Sequence, residues 1–519
     1  MTNYNMNQQT LDITTSYMPK KENTAWFIHE LVEALQIKEP YLFGRPREYD
    51  LSLMLKLLLF AYTRSVFTSR KIEQLAEESL PARWLTQERV PSYRTIARFR
   101  ISNDIETLIH QSLESLTGYL RERQLIDDAL FIDGTKILAD ANKYSFVWKK
   151  STIRYDQMNR EAIIALMTEL KEAYQVKHIP EGSELTLDLL DEVLTRLELR
   201  LEELEQEVQE TKKISPNPAK QERRTLKSQT RKLKERREKM ADHQLRLERC
   251  GTRNSYSKTD TDGTFMRVKE DPMRNGQLKP AYNLQIATCN QFVLGCDVYQ
   301  NPTDTKTLLP FLEKMTLPKG AVIVADAGYG SEKNYRHLED DYPDQTALIP
   351  YATMMKEQSK KWQSDERKVM NWTYDENEDY YVDPKGVRFN FQAYRKKTDK
   401  DGFVRDLKEY RAEKYDENRT VIPAALTPKG NTRKINVNPS WEYFKAKQVD
   451  LLSTPETGKI YGRRKIDVEP VFGRMKACLG FTRYHVRGME KVKKETGLLV
   501  LALNMMKLAV LGREKSLQA

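Results

Sequence analysis

Hydrophobic residues recur along the chain at two different spacings, and the change of spacing divides the chain into segments. In the first segment apolar side chains recur every three or four residues, which is typical of amphipathic helices. This pattern predicts helices over residues 24–35, 51–65, 70–78, 92–100 and 104–122, with a connecting turn at 81–85. We therefore expect a helical N-terminal domain over residues 1–125.

From residue 129 onward apolar and polar side chains alternate, which indicates strands. Predicted strands cover residues 129–140, 280–289, 291–300, 320–325 and 345–350, and predicted helices cover 306–315 and 332–338. The second and third strands are expected to form a hairpin at Asn290, and the continuous apolar run of the fourth predicts burial on both faces. We expect a mixed α/β core over residues 126–350, completed by C-terminal helices over 459–519.

A helical insertion over residues 140–260 is predicted to interrupt this core. Its apolar residues step first by three and four and then by seven, the spacing of a coiled coil. They are Leu187, Leu190, Leu194, Leu197, Leu201, Leu204, Val208, Leu226, Leu233, Met240 and Leu247. Residues 181–210 hold 11 acids and 2 bases, whereas 211–240 hold 12 bases and 3 acids. We expect a hairpin whose arms attract each other, although its basic face could also contact DNA or a second subunit.

The segment 351–458 is polar, aromatic and basic, and we expect a small β-rich insertion there. Aromatic side chains beside cations suit contact with nucleic acid, but a small core with solvated edges explains them equally well. In the predicted helix 92–100, Arg94, Arg98 and Arg100 lie on a helix-turn-helix-like unit. These arginines could contact DNA, or the unit could be an ordinary packed helical one.

Composition narrows the class of protein. The 519 residues carry 86 Lys plus Arg against 75 Asp plus Glu, a net charge of +11, which favours an acidic polymer such as nucleic acid as partner. The four cysteines have no paired spacing, so neither a disulfide framework nor a zinc site is indicated. With no secretory signal and no apolar run long enough to span a bilayer, we expect a cytoplasmic protein without a membrane partner.

Two aspartates lie where predicted strands bend or end. Asp133 lies inside an apolar strand before Gly134, where a buried charge requires a partner or a metal, and the alternative is an ordinary turn aspartate. Asp326 follows the strand 320–325 and precedes small residues, and sites form at that end of strands in open α/β sheets. The alternative for Asp326 is an aspartate that caps the next helix.

A third carboxylate, Glu469, lies in the stretch 461–476, YGRRKIDVEPVFGRMK. On a helix kinked or restarted at Pro470, the apolar residues expected to pack are Ile466, Val468, Val471 and Met475. The cations expected around Glu469 are Arg463, Arg464, Lys465, Arg474 and Lys476. Such surroundings suit a place where metal and phosphate meet, and the alternative is a surface helix with ordinary ion pairs.

The order of elements is that of a ribonuclease-H-like fold, in which three antiparallel strands lead a mixed sheet with helices on both faces. In that plan Asp133, Asp326 and Glu469 could converge. Three carboxylates can bridge two hard divalent cations such as Mg²⁺, which act on a phosphodiester.

The segments FIDGTK, VIVADAGYGS and YGRRKIDVEPVFGRMK, with the later GFTRYHVRGMEKV, resemble the DDE transposases of bacterial insertion sequences, in particular the insertion-sequence eleven-eighty-two group. The resemblance spans most of the chain. It implies that Asp133, Asp326 and Glu469 are the catalytic, metal-binding triad. Relatives carry a tyrosine, arginine, glutamate, lysine signature at the third acid. Here Tyr461, Glu469 and Lys476 match it in kind, Arg464 keeps its spacing to the tyrosine, and Lys465 stands where the arginine is expected.

The resemblance also implies an activity. With two Mg²⁺ ions, or Mn²⁺ in their place, the protein would nick DNA at transposon ends and join the freed 3′-hydroxyl to target DNA. Tyr461, Arg464, Lys465 and Lys476 would contact the flanking DNA, Arg94, Arg98 and Arg100 the terminal repeats, and a homodimer would bring two ends together. Two other functions remain open on the sequence: a non-catalytic architectural DNA-binding protein, and a nuclease of the same fold that does not join strands.

Overall fold

The computed structural model of the chain describes residues 17–37, 47–174, 185–210, 216–269 and 276–518. The chain divides into two compact units. One comprises Met1–Ile137, Asn283–His485 and Glu490–Ala519, and the other comprises Leu138–Tyr282 and Val486–Met489.

The described part of the N-terminal region is helical. Its helices are α1 (Thr24–Ala34), α2 (Leu51–Thr63), α3 (Ser69–Glu78), α4 (Leu80–Leu85), α5 (Tyr93–Arg100) and α6 (Asn103–Glu122). α2 forms the centre of this region, because nearly all of its residues are buried. The side chains of Ser92 and Ser102 cap α5 and α6. The turn predicted at 81–85 was wrong: it is α4, because Pro81 occupies the first helical turn, where proline is tolerated.

The next strands in chain order are β1 (Ala129–Leu138), β2 (Phe146–Trp148), β3 (Ser255–Ser257), β4 (Thr264–Arg267), β5 (Leu278–Cys289), β6 (Phe292–Tyr299), β7 (Val322–Ala325) and β8 (Thr346–Leu348). β2 and β3 pair with each other, and the others form one sheet in the order β4-β5-β1-β7-β8, with β6 also on β5. β5 and β6 are antiparallel, whereas β1, β7 and β8 run parallel. This mixed sheet is consistent with the predicted ribonuclease-H-like core.

The helical insertion contains α7 (Lys149–Tyr174), α8 (Leu187–Glu210) and α9 (Pro218–Cys250). The sequence did not predict α7, whose Ile163, Met167 and Leu170 are buried in one cluster with residues of the other two helices. That cluster includes these residues of the predicted heptads: Leu190, Leu194, Leu197, Leu204, Leu226, Leu233 and Met240. Ion pairs such as Arg237–Asp191 and Arg223–Glu205 join the basic to the acidic helix. The predicted arm residues 181–184 and 211–215 lie outside the described residues.

Helices α10 (Leu308–Leu312) and α11 (Glu332–Asp341) pack on the central sheet. Their Phe311 and Tyr335 share a buried cluster with Ile132 of β1 and Ile323 of β7. Apolar burial of this kind fixes the sheet and therefore the ends of its strands, where the candidate site lies.

The segment predicted to be a β-rich insertion begins with α12 (Met354–Glu357) and α13 (Lys360–Gln363). A sheet of five antiparallel strands follows: β9 (Thr373–Asp375), β10 (Tyr380–Val382), β11 (Arg388–Thr398), β12 (Val404–Ala412) and β13 (Lys434–Val437). It has its own core, which includes Trp372, Phe389 and Tyr410.

The chain ends in helices. They are α14 (Pro439–Ser453), α15 (Pro455–Gly462), α16 (Arg464–Gly473) and α17 (Met489–Gln518), with a π-helical turn, Arg474–Cys478, after α16. Among the described residues, one helical segment, Met489–Gly512, has the length and hydropathy of a membrane span, and 72% of its most apolar window is buried within the protein.

Candidate active site

Asp133 and Asp326 lie side by side on neighbouring parallel strands. β1 and β7 pair from Ala129↔Val322 to Ile132↔Ala325, so the two aspartates are the next residues in register. Neighbouring strands are about 4.8 Å apart, which brings the two carboxylates to the same place at this edge of the sheet. The predicted convergence of these two acids therefore follows from the register of the strands.

The two carboxylates repel each other in a poorly solvated place. Burial raises the pKa of Asp133 to about 6, and the nearby charge of Asp326 adds to this effect, as does that of Asp304. The backbone N–H of Gly134 and the guanidinium of Arg464 act in the opposite direction. Two carboxylates that repel each other provide the oxygen ligands that a hard divalent cation prefers. The residues present therefore fit such a cation.

Asp326 does not cap the following helix. Ser331 caps α11, since its side chain accepts a hydrogen bond from Asn334 N. Asp326 Oδ1 instead accepts a hydrogen bond from Gly328 N at 2.8 Å, within the loop after β7. This bond fixes the carboxylate at the end of its strand.

Gly134 is not part of a turn. The sequence predicted a turn or bulge after Asp133, but β1 continues straight through it to Leu138. A Cβ atom at Gly134 would collide with Gln285 Nε2 and would lie 2.8 Å from Asp304 Oδ1. Glycine is needed here because other side chains approach the strand closely.

Asp304 is a site residue that sequence reasoning missed. Its Oδ1 accepts hydrogen bonds from Lys136 Nζ at 2.9 Å, Asn283 Nδ2 at 2.8 Å and Gln285 Nε2 at 3.0 Å. The next residue, Thr305, donates to Gly328 O at 2.7 Å and ties this turn to the loop after Asp326. The available signal was the segment NPTDTK directly after a strand, which could have been interpreted as more than a turn.

Tyr329 is a buried neighbour of the three aspartates at the candidate site. It is fully buried, and its hydroxyl donates to Gln285 Oε1. Burial raises the pKa of Tyr329, and the neighbouring charges of Asp304, Asp133 and Asp326 raise it further. The hydroxyl therefore stays protonated and holds the amide of Gln285 in one orientation.

Tyr461 and Arg464 reach the aspartate pair from α15 and α16. Arg464 Nη1 lies 3.4 Å from Asp133 Oδ2. Burial raises the pKa of the Tyr461 hydroxyl, which bonds to Arg464 and is close enough to Asp326 and Asp133 to feel their charges. The two side chains come from either side of Arg463, the residue at which α15 ends and α16 begins.

Glu469 lies on the same helix as Arg464, and its side chain is exposed. Within the described ranges, no group of three or more His, Cys, Asp and Glu side chains is arranged to hold a metal ion. Lys465 is exposed and Lys476 is half-buried in the π-helical turn. Their predicted roles and that of Glu469 therefore remain predictions.

Three of the five cations expected around Glu469, namely Arg463, Arg464 and Arg474, have other partners. Arg463 pairs with Asp127 at 2.8 Å, and Arg474 donates to Gln291 Oε1 at 2.9 Å. The prediction that Ile466 packs was also wrong, since that side chain is 66% exposed. The buried position beside it is Asp467, whose Oδ1 accepts a hydrogen bond from Gln291 N.

Pro470 lies inside α16 rather than at its end. A proline there leaves the carbonyl of residue 466 without its helical donor. Gln291, at the turn between β5 and β6, supplies the missing donor, since its Nε2 bonds to Ile466 O at 3.1 Å. The helix that carries Arg464 and Glu469 is therefore held by the hairpin turn.

On α5, Arg94 and Arg98 are exposed, as contact with DNA requires. Arg100 does not share this surface: its side chain is 5% exposed and pairs with Glu495 of α17. It also donates to Phe67 O at 2.6 Å. Arg100 lies on the buried face of α5. This arginine therefore stabilises the fold and is not available to bind DNA.

Two family models match parts of the chain. The family described as Transposase DDE domain matches residues 253–505, and the family described as Transposase domain (DUF772) matches residues 15–102. No curated protein and no solved structure matches the chain. Asp326 and Glu469 lie within the first match, and Asp133 precedes it.

The two matches define the class: the chain is a transposase. Both domains are typical of transposases of bacterial insertion sequences. The chain belongs to the DDE transposases of that kind.

Proposed function

We propose that the protein nicks DNA at the ends of an insertion sequence of the eleven-eighty-two group and joins the freed 3′-hydroxyl to target DNA. The observation that carries this proposal is the pair Asp133 and Asp326, which are adjacent in the strand register and whose carboxylates repel each other. The match to the Transposase DDE domain supports the same chemistry.

Asp133, Asp326 and Glu469 are the residues that would hold two Mg²⁺ ions, or Mn²⁺ in their place. Bound there, the cations supply an activated oxygen nucleophile and stabilise the leaving oxygen of the phosphodiester. In the described part of the chain Glu469 has an exposed side chain and no ion pair, which leaves its carboxylate available as the third ligand.

The remaining side chains bind and orient DNA in this proposal. Arg464 and Tyr461, already beside the aspartates, would hold the phosphate next to the one that is cut. Lys465 and Lys476 would hold phosphates further along, and guanidinium and ammonium groups suit this purpose. Arg94 and Arg98 would contact the terminal repeats, whereas Arg100 is left out because it is buried.

Strand transfer needs two DNA ends at once, so we propose that the protein works as a homodimer. The coiled-coil-like helices α7, α8 and α9 are the candidate for this association. The proposed setting is the bacterial cytoplasm, at the nucleoid.

A nicking assay tests the proposal. The substrate is labelled duplex DNA that carries the element's terminal repeat, with and without Mg²⁺. We expect Mg²⁺-dependent nicking by the unaltered chain, none by Asp326→Asn, and full nicking by Asp344→Asn, an exposed aspartate in the same unit. Undiminished nicking by Asp326→Asn would overturn the proposed site.

A second assay separates a transposase from a nuclease of the same fold. Pre-nicked end DNA with a free 3′-hydroxyl is mixed with plasmid target and Mg²⁺. Joined products are expected, and cutting without joining under conditions that support nicking would favour the nuclease.

A further inference from the structure

The five-stranded sheet contains a two-stranded ribbon formed by Arg395–Thr398 of β11 and Val404–Leu407 of β12. β10 pairs only with Arg388–Asn390, and β13 only with Lys408–Arg411. Beyond those positions the two strands pair only with each other within the described sheet. The ribbon therefore extends past the small core of that sheet.

One face of the ribbon is basic. Residues directly opposite each other share a face, and Lys397 stands opposite Arg405. Two residues earlier on β11, Arg395 lies on the same face. Arg395 and Lys397 are both exposed, and the acid on this face, Glu409, pairs with Arg395 and with Lys434.

The tip of the ribbon is fixed next to the candidate active site. Arg405 Nε donates to Glu332 Oε2 at 3.1 Å, in the first turn of α11, which follows the loop that carries Asp326. Asp401, in the turn of the ribbon, pairs with Lys306 at 2.7 Å. Lys306 follows Thr305, which is bonded to Gly328 of the Asp326 loop.

Further cations lie at this junction. Arg336 of α11 stacks on the ring of Phe403 in the ribbon turn, and Lys333 acts with Lys306 to lower the pKa of Asp401. The cations Lys306, Arg336 and Arg405 thus lie where the ribbon contacts the elements around the Asp326 loop.

From this arrangement we infer that the basic ribbon face, Arg395 and Lys397, binds the phosphate backbone of duplex DNA beside the phosphate that is cut. The inference rests on the proposed function, because it makes this face the second contact of the same substrate. A narrow antiparallel ribbon has the width that fits a DNA groove, and its cations provide the affinity that phosphates require.

The salt dependence of DNA binding tests this inference. Binding of end DNA is measured by fluorescence anisotropy at several salt concentrations in EDTA, so that no cleavage occurs. The variant is Arg395→Ala/Lys397→Ala. Its matched control is Arg411→Ala/Lys414→Ala, which removes one exposed arginine and one exposed lysine near the other end of β12.

A plot of log K against log salt has a negative slope, and each lost phosphate contact makes that slope less steep by about 0.9. We therefore expect the variant to lose about 1.8 in slope and on the order of tenfold in affinity. The control and the charge-preserving variant Arg395→Lys/Lys397→Arg should keep both. An unchanged slope in the alanine variant, with an unchanged melting temperature, would overturn the inference.

This test is independent of catalysis. Loss of slope in the ribbon variant together with full nicking by Asp326→Asn would reject the proposed active site and leave the DNA contact standing. The reverse result would reject the ribbon contact alone.

Discussion

At the scale of single residues, the site depends on side chains that pack against Gly134. Asp133 is flanked by that glycine, and the amide of Gln285 and the carboxylate of Asp304 press against the strand there. Gln285 is held in turn by Tyr329. The position of Asp133 is therefore set by neighbours that do not belong to the carboxylate triad.

Gly134→Ala should destabilise the protein and slow nicking. The added methyl group meets Gln285 and Asp304, and overpacking of this kind costs about 1–3 kcal/mol. Gly118→Ala is the matched control, since a Cβ there meets no atom within 4 Å and alanine favours a helix. Urea denaturation measures both, and equal stability of the two variants would show that the strand is not crowded.

The difference between Asp133 and Asp304 shows how much of the site the sequence could predict. Asp133 and Asp326 stand in or after runs of apolar strand residues, and this local pattern marked both as candidate site residues. Asp304 lies near Asp133 only once the chain has folded. In the same way, the role of Arg100 depends on Glu495, which is 395 residues away in the sequence. Pairings between distant residues leave no mark in local spacing.

At the scale of elements, the turn between β5 and β6 positions α16. Asn290 and Gln291 both have positive φ, as a tight hairpin turn requires. Asn290 Oδ1 accepts a hydrogen bond from Arg463, and Gln291 bonds to Ile466 and Arg474. The sequence predicted the hairpin correctly, but not that its turn would replace the hydrogen bond lost at Pro470.

Gln291→Ala should lower the nicking rate at saturating DNA more than it changes the KM, because α16 would lose its anchor beside Asp133. Removal of these hydrogen bonds should cost about 1 kcal/mol of stability. Gln345→Ala, which removes a similar side-chain bond to Pro318 O, is the control and should keep the rate. An unchanged rate for Gln291→Ala would show that the turn does not position the helix.

Helix α5 is joined to α17 by a buried ion pair. Burial raises the pKa of Glu495, but Arg100 and His485 outweigh it and hold the pKa below its ordinary value of 4.5. A carboxylate with a lowered pKa stabilises the fold at neutral pH, and that contribution is lost as the pH falls through the folded-state pKa.

Arg100→Ala should therefore cost about 3–5 kcal/mol, because it leaves a buried carboxylate unpaired. Arg98→Ala, an exposed arginine on the same helix, should change stability by less than about 0.5 kcal/mol. Thermal unfolding between pH 3 and 7 measures both. Similar stabilities for the two variants would contradict the buried pair.

At the scale of the whole molecule, the proposed function requires acids from three distant parts of the chain. Element order predicted the mixed sheet, because strand and helix patterns are local. The side chain of Glu469 is exposed on the helix that also carries Arg464. Sequence spacing does not determine where a side chain at the edge of a helix points.

Mg²⁺ should raise the melting temperature of the unaltered protein, because a cation between Asp133 and Asp326 relieves their repulsion. At a hundred times the dissociation constant the stabilisation is about 2.7 kcal/mol. Asp326→Asn should lose this shift and Asp344→Asn should keep it. A shift of equal size in all three proteins would place the bound Mg²⁺ elsewhere.

The central claim is tested most directly by replacing the proposed metal ligands with cysteine and asking which metal ion then supports nicking. Thiolates bind Mg²⁺ poorly and softer ions better. We expect Asp326→Cys and Glu469→Cys to nick end DNA with Mn²⁺ but not with Mg²⁺, and Asp344→Cys to nick with either ion. Full nicking by Glu469→Cys with Mg²⁺ would contradict the account, since the third carboxylate would then hold no metal.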